Sequence, residues 1–201
     1  MNIKGYLFLQ KHNLPLARKT IIFRKLSEIP KNYFNNLDEE ERWVLIGSDD
    51  QIQISTGPYF QKQIKKKGFN IKNLNEIFNE LKKELENKGI PSKNHIFLLF
   101  VGYLEKDVKF AGHALRDKNE IHIDLINKNR PSKRDWHPDY SIRYTIVNRK
   151  AIAHSSLPEI YQKYLAQIVK NIIELEESGC LEFVILEDEF LFYNDFYTVK
   201  N

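Results

Sequence analysis

The chain has 201 residues, 42% of them hydrophobic and 29% charged, which is enough apolar material for one medium domain and too much for a disordered chain. Its formal charge of +4 is mild, so charge alone does not point to nucleic acid. One cysteine, Cys180, excludes an internal disulfide and a cysteine-rich metal site. No apolar run approaches the ~20 residues of a membrane span. Gly5 to Leu9 is too short for a signal peptide, so the expectation is a cytoplasmic protein with no membrane partner.

In chain order, Met1 to Leu9 reads as a short strand or buried leader, and Thr20 to Phe23 as a strand. Leu37 to Arg42 suggests one or two helical turns. Trp43 to Gly47 and Gln51 to Ser55 read as a hairpin, and Tyr59 to Lys67 as a short helix stopped by Gly68. The run Lys65 to Lys67 then closes a helix, either as a solvated terminus or as part of a nucleic-acid patch. Leu74, Ile77, Phe78, Leu81 and Leu85 form one helical stripe that ends at Gly89.

Ile96 to Tyr103, Val108 to Ala114 and Glu120 to Ile126 read as strands. Ser141 to Val147 and Lys150 to His154 form a hairpin around Asn148-Arg149. A helix from Leu157 to about Ser178 buries Tyr164, Leu165, Ile168 and Ile172. Leu181 to Leu186 and Phe190 to Tyr193 are closing strands around Glu187-Asp188-Glu189. This mixture predicts an α+β fold with mainly antiparallel sheets. It is a single unit over residues 1–201, with a lobe boundary near Gly89 to Ser92 dividing 1–90 from 91–201.

The chain has no P-loop, dinucleotide fingerprint, nucleophile elbow or metalloprotease helix. The densest polar segment is Arg130 to Tyr140. It joins cations for phosphates, an imidazole and two aromatics, with Arg134, Asp135 and His137 as candidate catalytic residues. A rigid surface loop explains the same residues. The closing strands carry Glu182, Glu187, Asp188, Glu189, Asn194 and Asp195, oxygen donors of the kind Mg²⁺ takes. Glu182 stands out: a carboxylate between Leu181 and Phe183 is costly without a partner.

Leu9 to Thr20, with its Leu14-Pro15 step, is similar to the leading segment of ATP-grasp domains. Asp107-Val-Lys-Phe-Ala-Gly112-His-Ala-Leu-Arg116-Asp117 resembles a segment of the nucleotide-binding domain of pyruvate phosphate dikinase and phosphoenolpyruvate synthase. The helix from Leu157, the strand Gly179-Cys-Leu-Glu182 and the stretch Phe190 to Asn194 are similar to the closing elements of ATP-grasp folds. Leu45-Ile46-Gly47-Ser48 stands where such folds carry a Val-Arg-Ser-Ser type strand, without its Arg.

The resemblance implies a two-lobed protein that binds ATP and Mg²⁺ and catalyses ligation or phosphoryl transfer on a small-molecule or protein substrate. It implies Mg²⁺ near Glu182 and Asn194, phosphates at Lys19, Arg116 and Arg143, and a substrate-covering loop at Arg134 to His137. The alternative is a non-catalytic module on a degenerate form of the fold, engaging RNA or protein through Lys65 to Lys67 and Arg130 to Arg134.

Overall fold

The computed structural model describes residues 3–34, 42–51, 63–103, 105–127, 138–156, 159–175 and 177–197. Helix α1 (Ile3–Lys11) is followed by strands β1 (Ile21–Phe23), β2 (Trp43–Asp49) and β3 (Ile64–Phe69), then helix α2 (Leu74–Asn87) and strand β4 (His95–Val101). Strands β5 (Val108–Asp117), β6 (Glu120–Asn127), β7 (Tyr140–Val147) and β8 (Lys150–Ala153) lead to helix α3 (Glu159–Leu175). Strands β9 (Gly179–Leu186) and β10 (Leu191–Tyr197) close the order. One antiparallel sheet runs β1-β4-β2-β3; the other runs β10-β9-β5-β6-β7-β8.

Side-chain alternation sorts these strands into three cores. Trp43, Leu45, Phe97 and Leu99 face α2, whose Leu74, Phe78, Leu81 and Leu85 form the expected stripe. Their neighbours Val44, Ile46, Leu98 and Phe100 face the other way. They meet Val184, Leu186 and Phe192 of the six-stranded sheet, with Ile3 and Tyr6 of α1. The two sheets therefore share an apolar seam. On the far face of the six-stranded sheet, Phe110, Ile121, Ile123, Leu181, Phe183 and Ile185 pack under α3. Leu165 is fully buried there. Leu165→Ala should cost about 2–5 kcal/mol in a urea titration, as a core cavity does; a loss below about 0.5 kcal/mol would place the stripe on the wrong face.

Several sequence expectations change. The segment expected as a strand or leader is α1: Phe8 and Leu9 join the α3 core while Ile3 and Tyr6 join the intersheet seam. Gly89 does stop α2 at φ 75°, and Asn148 and Arg149 turn the β7–β8 hairpin at φ 50° and 61°. Residues Ile64 to Lys67 are strand, not helix. Three identical lysines hide an alternation that pairing with β2 reveals. Lys66 lies opposite Leu45 and points at α2, where its ammonium bonds Glu84 at 2.6 Å. Lys65 and Lys67 lie opposite Ile46 and Val44, on the intersheet face. The lysine run is therefore not one continuous patch.

The chain also crosses between sheets later than Gly89 to Ser92, because β4 sits between β1 and β2 in the first sheet. That glycine–proline stretch ends a helix, and the crossing follows Val101. The expected turns at Leu37 to Arg42 and strand at Gln51 to Ser55 fall mostly outside the described residues.

Candidate functional site

The intersheet face of the six-stranded sheet is polar beyond the apolar seam, and strand register sets its polar residues in rows. Asp195 on β10 stands opposite Glu182 on β9. Glu182 stands opposite His113 on β5, His113 opposite Asp124 on β6, and Asp124 opposite Ser141 on β7. Directly opposed residues share a face and approach within ~5 Å at Cβ. Five strands thus contribute one polar row, in the order Asp, Glu, His, Asp, Ser.

A bulge makes this row possible. Phe192 pairs with Val184 in the seam, so strict alternation would turn Asp195 to the α3 side. The register shift between Tyr193 and Asp195 inserts Asn194 and returns Asp195 to the face of Glu182. Gly5 of α1 lies against this point: a Cβ there would come 2.1 Å from an Asp195 carboxylate oxygen.

Electrostatics separates the two carboxylates. The His113 ring lies 3.7 Å from Glu182, and its hydrogen bond holds the Glu182 carboxyl below the usual range against partial burial. Asp195 is 2% exposed, and burial pushes its carboxyl up to about 6, with the Glu182 charge adding to the rise. Its Oδ1 accepts the Phe196 N–H at 2.9 Å. On the opposed sheet, desolvation and neighbouring Lys67 bring the Lys65 ammonium down to about 8, while the Asp195 charge pulls it back up. The Asp195 charge thus reaches Lys65 across the two sheets without an ion pair between them. Cys180, one pleat from Glu182, is buried and its thiol is raised to about 11, so it is not a nucleophile at neutral pH.

Asn194 donates through Nδ2 to the Tyr103 hydroxyl at 3.1 Å, whereas its Oδ1 is buried with no hydrogen-bond partner. Tyr6 is fully buried with its hydroxyl also unsatisfied, and its ionisation is suppressed by burial and by the charges of Tyr103 and Asp195. Tyr103 also lines a cavity of about 250 Å³ between the end of β4 and the β9–β10 turn. Phe190, Phe192, Val101 and Gly102 are among the residues that line it. Arg18 lies over the Phe190 ring and is ion-paired to Asp188 at its edge.

Of the residues singled out in the sequence, Glu182 and Asn194 fall within this arrangement. Arg143 on β7 shares the face but stands in the next row, opposite His122. Arg116 does not share it. It lies two residues beyond Ala114, on the same α3-facing side, and donates to the Ile172 and Ile173 carbonyls at 2.9 and 3.1 Å, capping the end of α3, where the helix dipole favours a cation. Lys19 lies 6.0 Å over the Trp43 ring, and Trp43 belongs to the α2 core. The expectation that Arg116 meets the phosphates beside Glu182 is therefore corrected: the partner of Glu182 is His113. Arg134, Asp135 and His137 lie outside the described residues. Asp195, His113 and Lys65 complete the site. Glu182 is conspicuous in sequence, but its neighbours follow only from register. Among the described residues, no three His, Cys, Asp or Glu side chains converge as a metal cluster. None of the described helices is long and apolar enough to cross a membrane.

No protein-family model and no curated protein matches the sequence. Solved structures do. The biotin carboxylase domain of 2-oxoglutarate carboxylase from Hydrogenobacter thermophilus, solved with Mg-ADP, ADP and bicarbonate, matches at a TM-score of 0.51 and 13% identity. The match covers 97% of this chain and 38% of that one. L-amino acid ligase from Bacillus licheniformis gives 0.49 at 12% identity, over 97% and 41% of the two chains. N5-carboxyaminoimidazole synthetase from Staphylococcus aureus, solved with ADP, gives 0.47 at 14%, over 99% and 44%. The chain spans about two-fifths of each of these proteins. The first likeness shows the fold: α+β, with the two antiparallel sheets of the ATP-grasp architecture.

Proposed function

We propose that the chain binds a nucleoside triphosphate with Mg²⁺ between its two sheets and supports ATP-dependent ligation. The carrying observation is the pair Glu182 and Asp195, set opposite each other on one sheet, partway along a strand pair whose end walls an aromatic cavity. A cavity of about 250 Å³ suits a planar heterocycle rather than a whole nucleotide. From Leu186 at the cavity to Glu182 is four residues of strand, about 13 Å, the reach of an extended triphosphate from its base. The biotin carboxylase domain of similar fold was determined with Mg-ADP and ADP, which is consistent with this use.

Mg²⁺ suits the donor set. It is a hard cation usually held by one or two carboxylates plus phosphate oxygens, so two carboxylates suffice. The buried Asn194 Oδ1, lacking any hydrogen bond, is a ready oxygen donor beside them. Glu182, Asp195 and Asn194 would hold the ion, which when bound neutralises phosphate charge. His113 keeps Glu182 ionised and oriented. Lys65 supplies a cation facing the pair, a role that Arg116 and Lys19 cannot fill because each is engaged elsewhere. Arg134, Asp135 and His137, on the segment between β6 and β7, are the proposed substrate-side groups. The resemblance of Asp107 to Asp117 to the pyruvate phosphate dikinase segment also belongs to this reading.

That engagement of Arg116 and Lys19 favours a second reading, a module that binds a nucleotide or a partner without catalysis. Thermal unfolding with and without Mg-ATP tests binding. A ligand of the native state at a hundredfold excess over its dissociation constant raises stability by about 2.7 kcal/mol. Glu182→Gln should remove that gain while changing nucleotide-free stability by no more than about 1 kcal/mol. No gain in the unaltered chain overturns the nucleotide reading. A gain without turnover leaves the binding module.

A further inference from the structure

Beyond the Asp-Glu-His row, the same face carries a second row, centred on Arg143, that the site proposed at Glu182, Asp195 and Asn194 does not use, although the sequence resemblance had placed Arg143 at the phosphates. Arg143 on β7 stands directly opposite His122 on β6. On its other side the chain just past β8 brings His154 alongside, its N–H donating to the Arg143 carbonyl at 2.9 Å. We infer that this row, His122–Arg143–His154, is a binding site for an oxyanion, a carboxylate or phosphate group carried by a small substrate.

The argument rests on how the neighbouring groups are satisfied. Asp124 and Glu120 lie on the diagonals from Arg143, in reach of a long side chain. Yet Asp124 Oδ1 is taken by the His122 Nε2 at 3.1 Å and the Ser141 hydroxyl at 2.5 Å. The His154 Nε2 is taken by the Thr145 hydroxyl at 2.6 Å. The two rings are thereby fixed on either side of the arginine through Nε2. Among the described residues nothing accepts from the Arg143 guanidinium, although Arg18 and Arg24 each hold an aspartate and Arg116 holds two carbonyls. A rigid five-donor fork on a strand between two oriented imidazoles is suited to planar bidentate recognition of an oxyanion. Ile152, 56% exposed and opposite Thr145 on this face, adds an apolar flank for a hydrocarbon body. Arg143 is three strands from Glu182, about 14 Å, so an anion here does not compete with one at the carboxylate pair. The inference does not require the nucleotide reading.

The test is a nuclear magnetic resonance titration of the full chain, without nucleotide, following the imidazole signals of His113, His122 and His154 and the Nε–H of Arg143. Inorganic phosphate and succinate are titrated separately at matched ionic strength, with chloride as the reference. A saturable shift of His122, His154 and Arg143, with His113 still, is the expected result. Response to phosphate alone assigns a phosphate-bearing ligand, and response to succinate alone assigns a carboxylate. Response to both assigns oxyanions in general. Arg143→Gln should weaken binding at least tenfold, Arg143→Lys should recover only part of it, and His154→Gln should weaken it a few-fold. Shifts that do not saturate, that chloride reproduces, or that survive in Arg143→Gln overturn the site. Mg-ATP stabilisation is untouched by either outcome, so failure of this site and failure of the nucleotide reading are separable.

Discussion

Asp195→Asn is expected to stabilise the chain at pH 8 by about 2–3 kcal/mol. The Asp195 carboxyl is buried and rises from the ordinary aspartate value to about 6 on folding. A raised acid binds its proton more tightly in the folded state, so its contribution favours folding below pH ~4 and is lost as pH climbs through ~6. A rise of about two units corresponds to about 3 kcal/mol. Asparagine keeps the oxygen that accepts the Phe196 N–H and removes the titrating charge. Urea titrations at pH 4 and pH 8 should therefore show wild type and variant converging at the acid end and the variant ahead at the alkaline end. The same variant should lose its response to Mg-ATP. A variant less stable than wild type at pH 8 would mean that Lys65 or another cation already compensates the charge. A gain in stability coupled to loss of ligand response is the mark of a group retained for binding rather than for folding.

The largest loss should come from a single methyl group at Gly112. This glycine is interior to β5, the central strand that pairs with both β6 and β9. A Cβ there would lie 2.0 Å from the Asp124 carbonyl oxygen and 2.7 Å from the Phe183 ring. The ring could turn, but the carbonyl is backbone and belongs to the neighbouring strand. Relief needs β5 and β6 to move apart, with the polar row riding on them. Gly112→Ala should cost on the order of 4 kcal/mol, at the upper end of single substitutions, and broaden the His113 and His122 signals. A loss under about 1 kcal/mol would show that the two strands separate there without strain.

How much of this was readable from sequence differs by element. The α2 stripe, the Asn148-Arg149 hairpin and the α3 face were legible because each is a local pattern: period 3.6, or a turn of defined chemistry. The α1 segment was misread because Tyr6 to Leu9 is a short unbroken apolar run, which periodicity cannot assign. What makes it helical is that its two sides join two different cores. Glu182 was conspicuous as a carboxylate among apolar residues. Asp195 was one of several acidic neighbours, and only the bulge at Asn194 turns it onto the same face. Arg116 shows the same limit in reverse: one step of strand parity takes it from the expected phosphate site to the cap of α3. Parity and register are tertiary quantities, set by which strands pair, and the sequence of one strand does not contain them.

The order of strands in the six-stranded sheet has a kinetic meaning. Its middle joins β5 to β9, elements about seventy residues apart, and its first edge is covered by α1, which rests on β10 near the other end of the described chain. Four of its five pairings join consecutive strands, but the β5–β9 pairing that unites them cannot close by hairpin zipping. The β5-β6-β7-β8 meander can form early, but the edge of β5 then waits unpaired for β9, with Ala111, Gly112 and His113 exposed in the interval. Loop-closure entropy must be met before those contacts add any stability, so folding should be slow for a domain of this size. During synthesis the meander emerges well before its partner strand. The carboxylate row on which the proposed chemistry depends is then the last part of the molecule to exist, and a chain interrupted before β9 would present a ready edge to another copy of itself.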